Sequence, residues 1–174
     1  MPLYHISETP DIQTSIPRPP PNPDAGVTGD AVWAIGEYHL PHYLLPRDCP
    51  RVALHMRPDT TPEDRARLWG ASKAERLMIV ESCWRDRIES CCLYLYAFAP
   101  ESFEVADENA GYYISRQTVT PLQCRAVSGL VQEIEKRGIE LQFVDDLWPV
   151  RDAAIKSTVG FSVIRMRNAQ PRAL

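Results

Sequence analysis

The chain has 174 residues, of which 44% are hydrophobic and 24% are charged, and its formal net charge is -4. This length predicts one domain, and the composition excludes collagen-like, coiled-coil and wholly disordered chains. A chain with a negative net charge has no general basic surface that would attract nucleic acid, so we expect no nucleic-acid partner.

Seven short apolar runs predict strands, and the first two enclose a proline-rich loop. The loop covers residues 16–29 and contains five of the sixteen prolines, which exclude a helix or an inner strand there. It is either a functional flap or a brace over the surface. The predicted strands are residues 3–6, 31–35, 51–56, 77–80, 91–98, 112–115 and 122–127.

One clear helix lies in the middle of the chain. Thr61 is a good N-cap, Pro62 suits the first helical position, and Gly70 ends the pattern after Trp69. Weaker helical patterns occur at residues 39–45 and 81–88. Because strands dominate this part of the chain, we predict a mixed or antiparallel sheet.

The last fifty residues predict a helix-strand-helix-strand order. Ser128 is the predicted cap of the first helix and Gly138 its stop, and residues 139–144 form the next strand. A helix from Asp146 to about residue 157 and a strand at residues 161–166 follow. We therefore predict an α+β fold, with a core at residues 1–127 and an α/β appendix at residues 128–174 packed on the same domain.

No segment predicts a membrane helix or a signal peptide. The longest apolar run, residues 91–99, has about half of the roughly 18 residues that span a bilayer. The first residues lack the basic, apolar and small-residue plan of a signal peptide. We therefore expect a cytoplasmic protein without a membrane partner.

The first candidate site lies on the first strand. A strand places His5 and Ser7 on the same face, where two such side chains can grip a ribose or a carbonyl group. The alternative is a buried histidine bonded to a backbone carbonyl.

A second candidate lies at residues 38–51. A metal site would use His39 and His42 with Asp48 or Cys49, but Pro41 distorts the helical spacing of the histidines. The five cysteines contain no C-x2-C pair, so we expect reduced thiols and no metal. Arg47 with Arg51 can hold a phosphate or carboxylate, or can form a surface turn.

Two further segments carry polar chemistry. A carboxylate of the acidic stretch 101–108 can stabilise a cationic transition state, unless the stretch is merely solvated. In the next strand, alternation puts Tyr113 and Ser115 on one side and Tyr112 on the other. The arginine-rich carboxyl end, residues 164–172, is either an anion- or amide-recognition surface or a polar tail.

Five stretches of the chain resemble a bacterial family that has no established activity. The resemblance covers nearly the full length and rests on YHISE, AGVTGDAVWAI, YLLPRDCPRV, NAGYYISR and IRMRNAQPR.

The chain also resembles the ADP-ribosyltransferase superfold, in particular the small rifampin ADP-ribosyltransferases. Those enzymes open with a strand carrying His-x-Thr, which is here His5-Ile6-Ser7, and Trp33 stands where they carry a tyrosine. The resemblance implies that NAD is the substrate and that His5 holds the nicotinamide ribose. It also implies that Asp107, or Glu108, stabilises the oxocarbenium ion formed as nicotinamide leaves.

The expected function is therefore ADP-ribosyl transfer from NAD to an unknown acceptor. The predicted catalytic residues are His5 and Asp107, and the predicted nucleotide-binding residues are Ser7, Trp33, Tyr43, Arg47, Tyr113 and Ser115. The alternative is a non-catalytic protein that binds an anionic ligand through Arg47, Arg51, Arg165 and Arg167. A phosphate-ester transferase acting on RNA ends is a third possibility, which the acidic pI disfavours.

Overall fold

The computed structural model describes residues 1–20, 26–108 and 110–172, and it has the predicted α+β class. Its strands are β1 (Leu3–Ser7), β2 (Val32–Ile35), β3 (Arg51–His55), β4 (Arg76–Glu81), β5 (Leu93–Phe98), β6 (Glu104–Asp107), β7 (Tyr112–Ser115), β8 (Gln123–Val127), β9 (Ile139–Val144) and β10 (Gly160–Ile164). Its α-helices are α1 (Pro62–Trp69), α2 (Arg85–Ser90), α3 (Leu130–Glu135) and α4 (Trp148–Ala154). Short 3-10 helices cover Leu40–Tyr43, Ser82–Trp84, Pro100–Ser102 and Met166–Asn168.

The chain divides into two compact units, each built from two separate stretches. The six-stranded unit contains Met1–Leu44 and Cys92–Val127, and the four-stranded unit contains Leu45–Cys91 and the chain from Ser128 onward. The chain therefore passes between the units three times, and the predicted boundary after residue 127 is one of these crossings. None of the helices described is long and apolar enough to cross a membrane.

The sheet of the six-stranded unit has the strand order β6-β7-β2-β1-β5-β8. All neighbouring strands are antiparallel. One face carries an apolar cluster, onto which side chains such as Ile12 and Val119 pack from loops. The buried members of this cluster are Leu3, Val32, Ala34, Tyr96 and Phe98.

The sheet of the four-stranded unit has the order β10-β3-β4-β9. Strands β4 and β9 are parallel, whereas β3 is antiparallel to both of its neighbours. The predicted order of helix, strand, helix and strand at the end of the chain is observed as α3, β9, α4 and β10. Its two strands complete this sheet on either side of β3 and β4.

Helix α1 follows the predicted capping. The Thr61 hydroxyl accepts a hydrogen bond from the Asp64 backbone N–H at 3.2 Å, and Pro62 opens the helix. Gly70 ends it with φ +54°, a left-handed value that glycine adopts without the steric cost of a Cβ atom. The capping residues at both ends of this helix are therefore readable from the local sequence.

Three local predictions were wrong. Residues 104–107, predicted as part of an acidic loop, form edge strand β6, where exposed acids are tolerated because one edge faces solvent. The N-cap of α3 is Gly129 at φ +63° rather than Ser128. Residues 40–43 form a 3-10 helix that ends before the predicted helix does.

The proline-rich loop is tied down at its start. The backbone groups of Arg18 and Ala31 exchange two hydrogen bonds of 3.1 and 2.9 Å, and Ser15 pairs with Val119. These bonds favour a brace over a flap for the described part of the loop. Residues 21–25 of the predicted loop lie outside the described residues.

Candidate functional site

His5 and Ser7 lie on one face of β1, as the alternation predicted. His5 is paired with Tyr96 of β5, and the two ring centroids lie 6.4 Å apart. Ser7 is paired with Tyr94, and its hydroxyl accepts a 3.0 Å hydrogen bond from the Thr9 backbone N–H. Two polar side chains and two tyrosines therefore share this part of the sheet.

The imidazole of His5 is bonded to the backbone of the neighbouring strand. Its Nδ1 atom lies 3.3 Å from the carbonyl oxygen of Trp33, and because a carbonyl can only accept, Nδ1 carries the proton. His5 is only partly buried. The sequence left open that His5 is a histidine bonded to a backbone carbonyl instead of a ligand-binding residue. The hydrogen bond of that alternative is present.

The indole of Trp33 lies on the opposite face from His5. Tyr4 is paired with Ile35, so the face of Tyr4 also carries Trp33, two residues before Ile35 on β2. The pairs of Val32 with Ser115 and of Ala34 with Tyr113 place those two β7 side chains on the His5 face. The predicted site residues are thus divided between two faces of one sheet.

An aromatic cluster of Trp33, Tyr43 and Tyr112 occupies the second face. The Trp33 and Tyr112 rings meet edge to face with centroids 5.6 Å apart, and the Tyr43 and Tyr112 centroids are 6.0 Å apart. The Tyr43 hydroxyl donates a 2.6 Å hydrogen bond to the Tyr112 hydroxyl. All three residues are partly exposed.

One polar atom of this cluster has no hydrogen-bond partner among the described residues. The indole Nε1 of Trp33 is buried, and no hydrogen-bond acceptor for it exists among the described residues. Buried indole N–H groups normally have partners. Among the described residues of the six-stranded unit, it is the buried side-chain donor that lacks a partner.

Asp107 ends β6 next to this cluster. It is paired with Tyr112 across the sheet edge, after an irregularity between Val105 and Asp107. Its side chain is exposed, and Oδ1 accepts a 3.1 Å hydrogen bond from the Ala110 backbone N–H. Paired residues of antiparallel strands share a face, so the Asp107 carboxylate belongs with Tyr112 and Trp33 rather than with His5.

Gly111 is needed beside His39 on the same part of the unit. Its φ is +69°, and a Cβ atom there would overlap the imidazole of His39. The His39 ring centroid lies 5.9 Å from that of His42, which is 7% exposed. Within residues 1–20, 26–108 and 110–172, no group of three or more potential ligands could hold a metal ion.

Tyr113 and Ser115 have structural contacts. The ring of Tyr113 lies against Gly36, where an added Cβ would be 3.3 Å from its Cε2 atom. Ser115 is 1% exposed, and its hydroxyl lies 3.2 Å from that of Ser102 and accepts from the Gln117 backbone N–H. Ser115 therefore ends β7, and its hydroxyl stabilises the turn that follows.

Arg47 belongs to the four-stranded unit, unlike the other seven predicted site residues. It is exposed, whereas Arg51 is 3% exposed and donates a 2.9 Å hydrogen bond from Nη1 to the carbonyl of Cys49. Arg47 therefore lies in a different unit from the aromatic cluster.

Sequence reasoning missed Tyr112, which joins Trp33 to Tyr43. The sequence pattern that bears on this is the alternation in Tyr112-Tyr113-Ile114-Ser115. It places the two tyrosines on opposite faces of the strand but does not show which of them shares a face with Trp33. Only the pairing of Ile35 with Tyr112 decides that.

Comparison with known proteins gives one match. A family model described as a family of unknown function (DUF6886) matches residues 4–169. Neither a curated protein nor a solved structure matches the chain. The resemblance to ADP-ribosyltransferases has no support from these comparisons and stays a prediction.

Proposed function

The chain belongs to the family of unknown function DUF6886, and from this premise we propose that its six-stranded unit is an ADP-ribosyltransferase-like, NAD-binding module. The observation that carries the proposal is the buried indole Nε1 of Trp33, which lacks an acceptor among the described residues. An unsatisfied buried donor costs about 1–3 kcal/mol, and a ligand acceptor would remove this cost. The carboxamide oxygen of nicotinamide is such an acceptor.

The aromatic cluster suits the nicotinamide end of NAD. That ring is cationic, and a cation over tyrosine or tryptophan faces gains about 0.5–2 kcal/mol. Tyr43 and Tyr112 fix each other through their 2.6 Å hydrogen bond, so the cluster is preorganised. In the proposed pose the indole turns to expose Nε1 to the carboxamide, and the charged ring lies against the tyrosines.

Asp107 supplies the charge that bond cleavage requires. When the bond between C1′ and the nicotinamide nitrogen breaks, its electron pair leaves with nicotinamide, and positive charge develops on the ribose. The exposed Asp107 carboxylate, paired with Tyr112, stabilises that charge. An acceptor nucleophile then bonds to C1′ and loses its proton to solvent.

In this proposal His5 acts through Trp33 rather than on the ribose. Its hydrogen bond to the Trp33 carbonyl holds β2 in place, and the indole projects from the same residue to the other face. His5 is thus a positioning residue, and direct ribose contact by His5 and Ser7 would require a ligand on the opposite face of the sheet.

Calorimetric titration with NAD, ADP-ribose and nicotinamide tests binding. Trp33→Phe keeps an aromatic ring and removes Nε1, so NAD affinity should fall about tenfold, the factor of one lost hydrogen bond of about 1.4 kcal/mol. Trp84→Phe, in the four-stranded unit, is the matched control and should bind as the unsubstituted protein does. Absence of saturable binding up to millimolar NAD would sink the proposal.

Release of nicotinamide tests catalysis separately. Asp107→Asn should abolish release while preserving NAD affinity, whereas Glu104→Gln on the same strand should not. Glu108→Gln tests the second acid of the predicted pair. Binding without any release would leave a nucleotide-binding module and remove the transferase part of the proposal.

The runner-up proposal is a non-catalytic module that binds an anionic ligand through arginines. All four candidate arginines, Arg47, Arg51, Arg165 and Arg167, belong to one unit, which favours it. Arg51 is buried at the start of β3, so the ligand would contact the other three. Arg47→Ala should then weaken binding of inorganic phosphate or ADP-ribose, and Asp107→Asn should leave it unchanged.

A further inference from the structure

The arginine-rich carboxyl end folds back onto the four-stranded unit. The Asn168 side-chain amide donates to the Asp48 carbonyl at 2.8 Å. The Gln170 backbone N–H donates to both carboxylate oxygens of Glu81, at 3.0 and 3.2 Å, and its carbonyl accepts from Trp148 Nε1 at 2.8 Å. We call residues 166–172 the C-terminal segment.

The surface that holds this segment has the chemistry of a peptide-recognition site. Glu81 is 0% exposed, and both of its side-chain oxygens accept a hydrogen bond from one main-chain donor. Arg172 lies over the Trp148 ring at 4.6 Å and pairs with both oxygens of Asp152, at 2.9 and 3.1 Å. Main-chain hydrogen bonds with one arginine anchored on tryptophan and carboxylate are typical of such sites.

We call the Asp48 carbonyl, Glu81, Trp148 and Asp152 the receptor groove. The contacts named above are hydrogen bonds, an ion pair and a cation–π contact, and none of them depends on the direct covalent connection between groove and segment. The same contacts are available to the same segment of another molecule.

The connection itself is strained at one residue. Arg165, between β10 and the segment, has φ +57° and ψ +27°, a left-handed conformation that a non-glycine residue rarely adopts. Its carbonyl accepts from the Asn168 backbone N–H at 2.9 Å, which closes the turn. An extended Arg165 would relieve the strain and send the segment away from its own groove.

We propose that the receptor groove binds the C-terminal segment of a second copy of this chain, by reciprocal exchange about Arg165. Each groove is filled by the partner's segment, so the assembly closes as a two-fold dimer. The contacts are identical in the closed monomer and the exchanged dimer. The balance is therefore decided by the hinge conformation and by protein concentration.

Sedimentation of full-length hinge variants tests the exchange. Arg165→Pro fixes φ near −65°, which the closed turn cannot accept, and the preceding Ile164 is already extended as a residue before proline requires. Arg165→Gly removes the strain of the closed turn. We expect Arg165→Pro to dimerise at least about tenfold more tightly than Arg165→Gly. Equal or reversed affinities would overturn the proposal.

A double variant separates exchange from unrelated association. Adding Arg172→Ala to Arg165→Pro removes the anchor, so the dimer should dissociate. A dimer that persists without Arg172 would overturn the proposal.

A peptide experiment applies even if Arg165→Pro does not fold. Full-length Arg172→Ala weakens its own segment, so a fluorescent peptide of residues 166–172 should bind it saturably and at least about tenfold more tightly than it binds the unsubstituted protein. The combination of Arg172→Ala with Asp152→Asn should lose this binding. Failure of the peptide to bind Arg172→Ala would overturn the proposal.

Discussion

The imidazole Nδ1 of His5 lies 3.3 Å from the carbonyl oxygen of Trp33, so a side chain on one face of the sheet holds the backbone of a residue whose indole projects from the other. Because of this bond, we expect substitutions at His5 to affect the Trp33 backbone rather than its ring. The relationship links the two groups of predicted site residues that the sheet separates.

His5→Leu should lower the free energy of unfolding by about 1–3 kcal/mol, because the Trp33 carbonyl loses its donor in a partly buried position. His5→Asn should recover part of the loss, since an amide N–H can occupy the Nδ1 position. Urea unfolding measures both variants, and Ser7→Ala is the control on the same strand. Equal losses for leucine and asparagine would show that the hydrogen bond does not matter.

The hydrogen bond between Tyr43 and Tyr112 should couple the two side chains. Tyr43→Phe and Tyr112→Phe each remove one hydroxyl, and the double-mutant cycle should give a coupling energy of about 0.5–1.5 kcal/mol. Thermal or urea unfolding of the four proteins measures it. Strictly additive losses would contradict the 2.6 Å contact.

Asp64 should make the four-stranded unit sensitive to acid. Hydrogen bonds from the Thr158 backbone N–H and hydroxyl, together with the Arg67 charge, lower the pKa of Asp64. A lowered folded-state pKa means that this stabilisation is complete above the unfolded pKa of about 3.9 and is lost as pH falls through the folded value.

Asp64→Asn should therefore destabilise the protein at neutral pH and have a smaller effect in acid, below the folded pKa. Urea unfolding across this pH range measures the difference. Glu63→Gln, at the exposed neighbouring position, is the control and should cost little at any pH. A pH-independent effect of Asp64→Asn would contradict the ionic role of this carboxylate.

Gly111→Ala should destabilise the six-stranded unit by about 2–4 kcal/mol, because it adds backbone strain and overlaps His39. Gly138→Ala separates the two effects. Gly138 also has a left-handed φ of +78°, but an added Cβ meets nothing within 4 Å, so only about 1 kcal/mol of strain is expected. Similar losses at both positions would argue against close packing at His39.

The five thiols should differ in reactivity. Cys83 and Cys124 are exposed, whereas burial raises the pKa of Cys49 to about 12, only partly offset by the Arg51 charge. At about pH 8, a thiol reagent should modify Cys83 and Cys124 in the native protein and reach Cys49 only after denaturation. Peptide mapping after labelling identifies the sites, and native labelling of Cys49 would contradict its burial.

Local sequence determined much of the secondary structure. The capped helix α1, the strand β7 and the alternation that puts His5 beside Ser7 depend on residues close in the chain, and all were predicted. Strand β6 was not, because four mostly exposed residues at a sheet edge have no apolar pattern to reveal them.

Tertiary structure decided the composition of the candidate site. Alternation states which residues of one strand share a face, but only the pairing register states which residues of the next strand join them. The pairing of Tyr4 with Ile35 therefore separated the Trp33 indole from His5, and that of Ile35 with Tyr112 brought Tyr112 to Trp33. The ion pair between Arg172 and Asp152 is a second example. No local sequence pattern predicts it, because the chain between the two residues must fold before they meet.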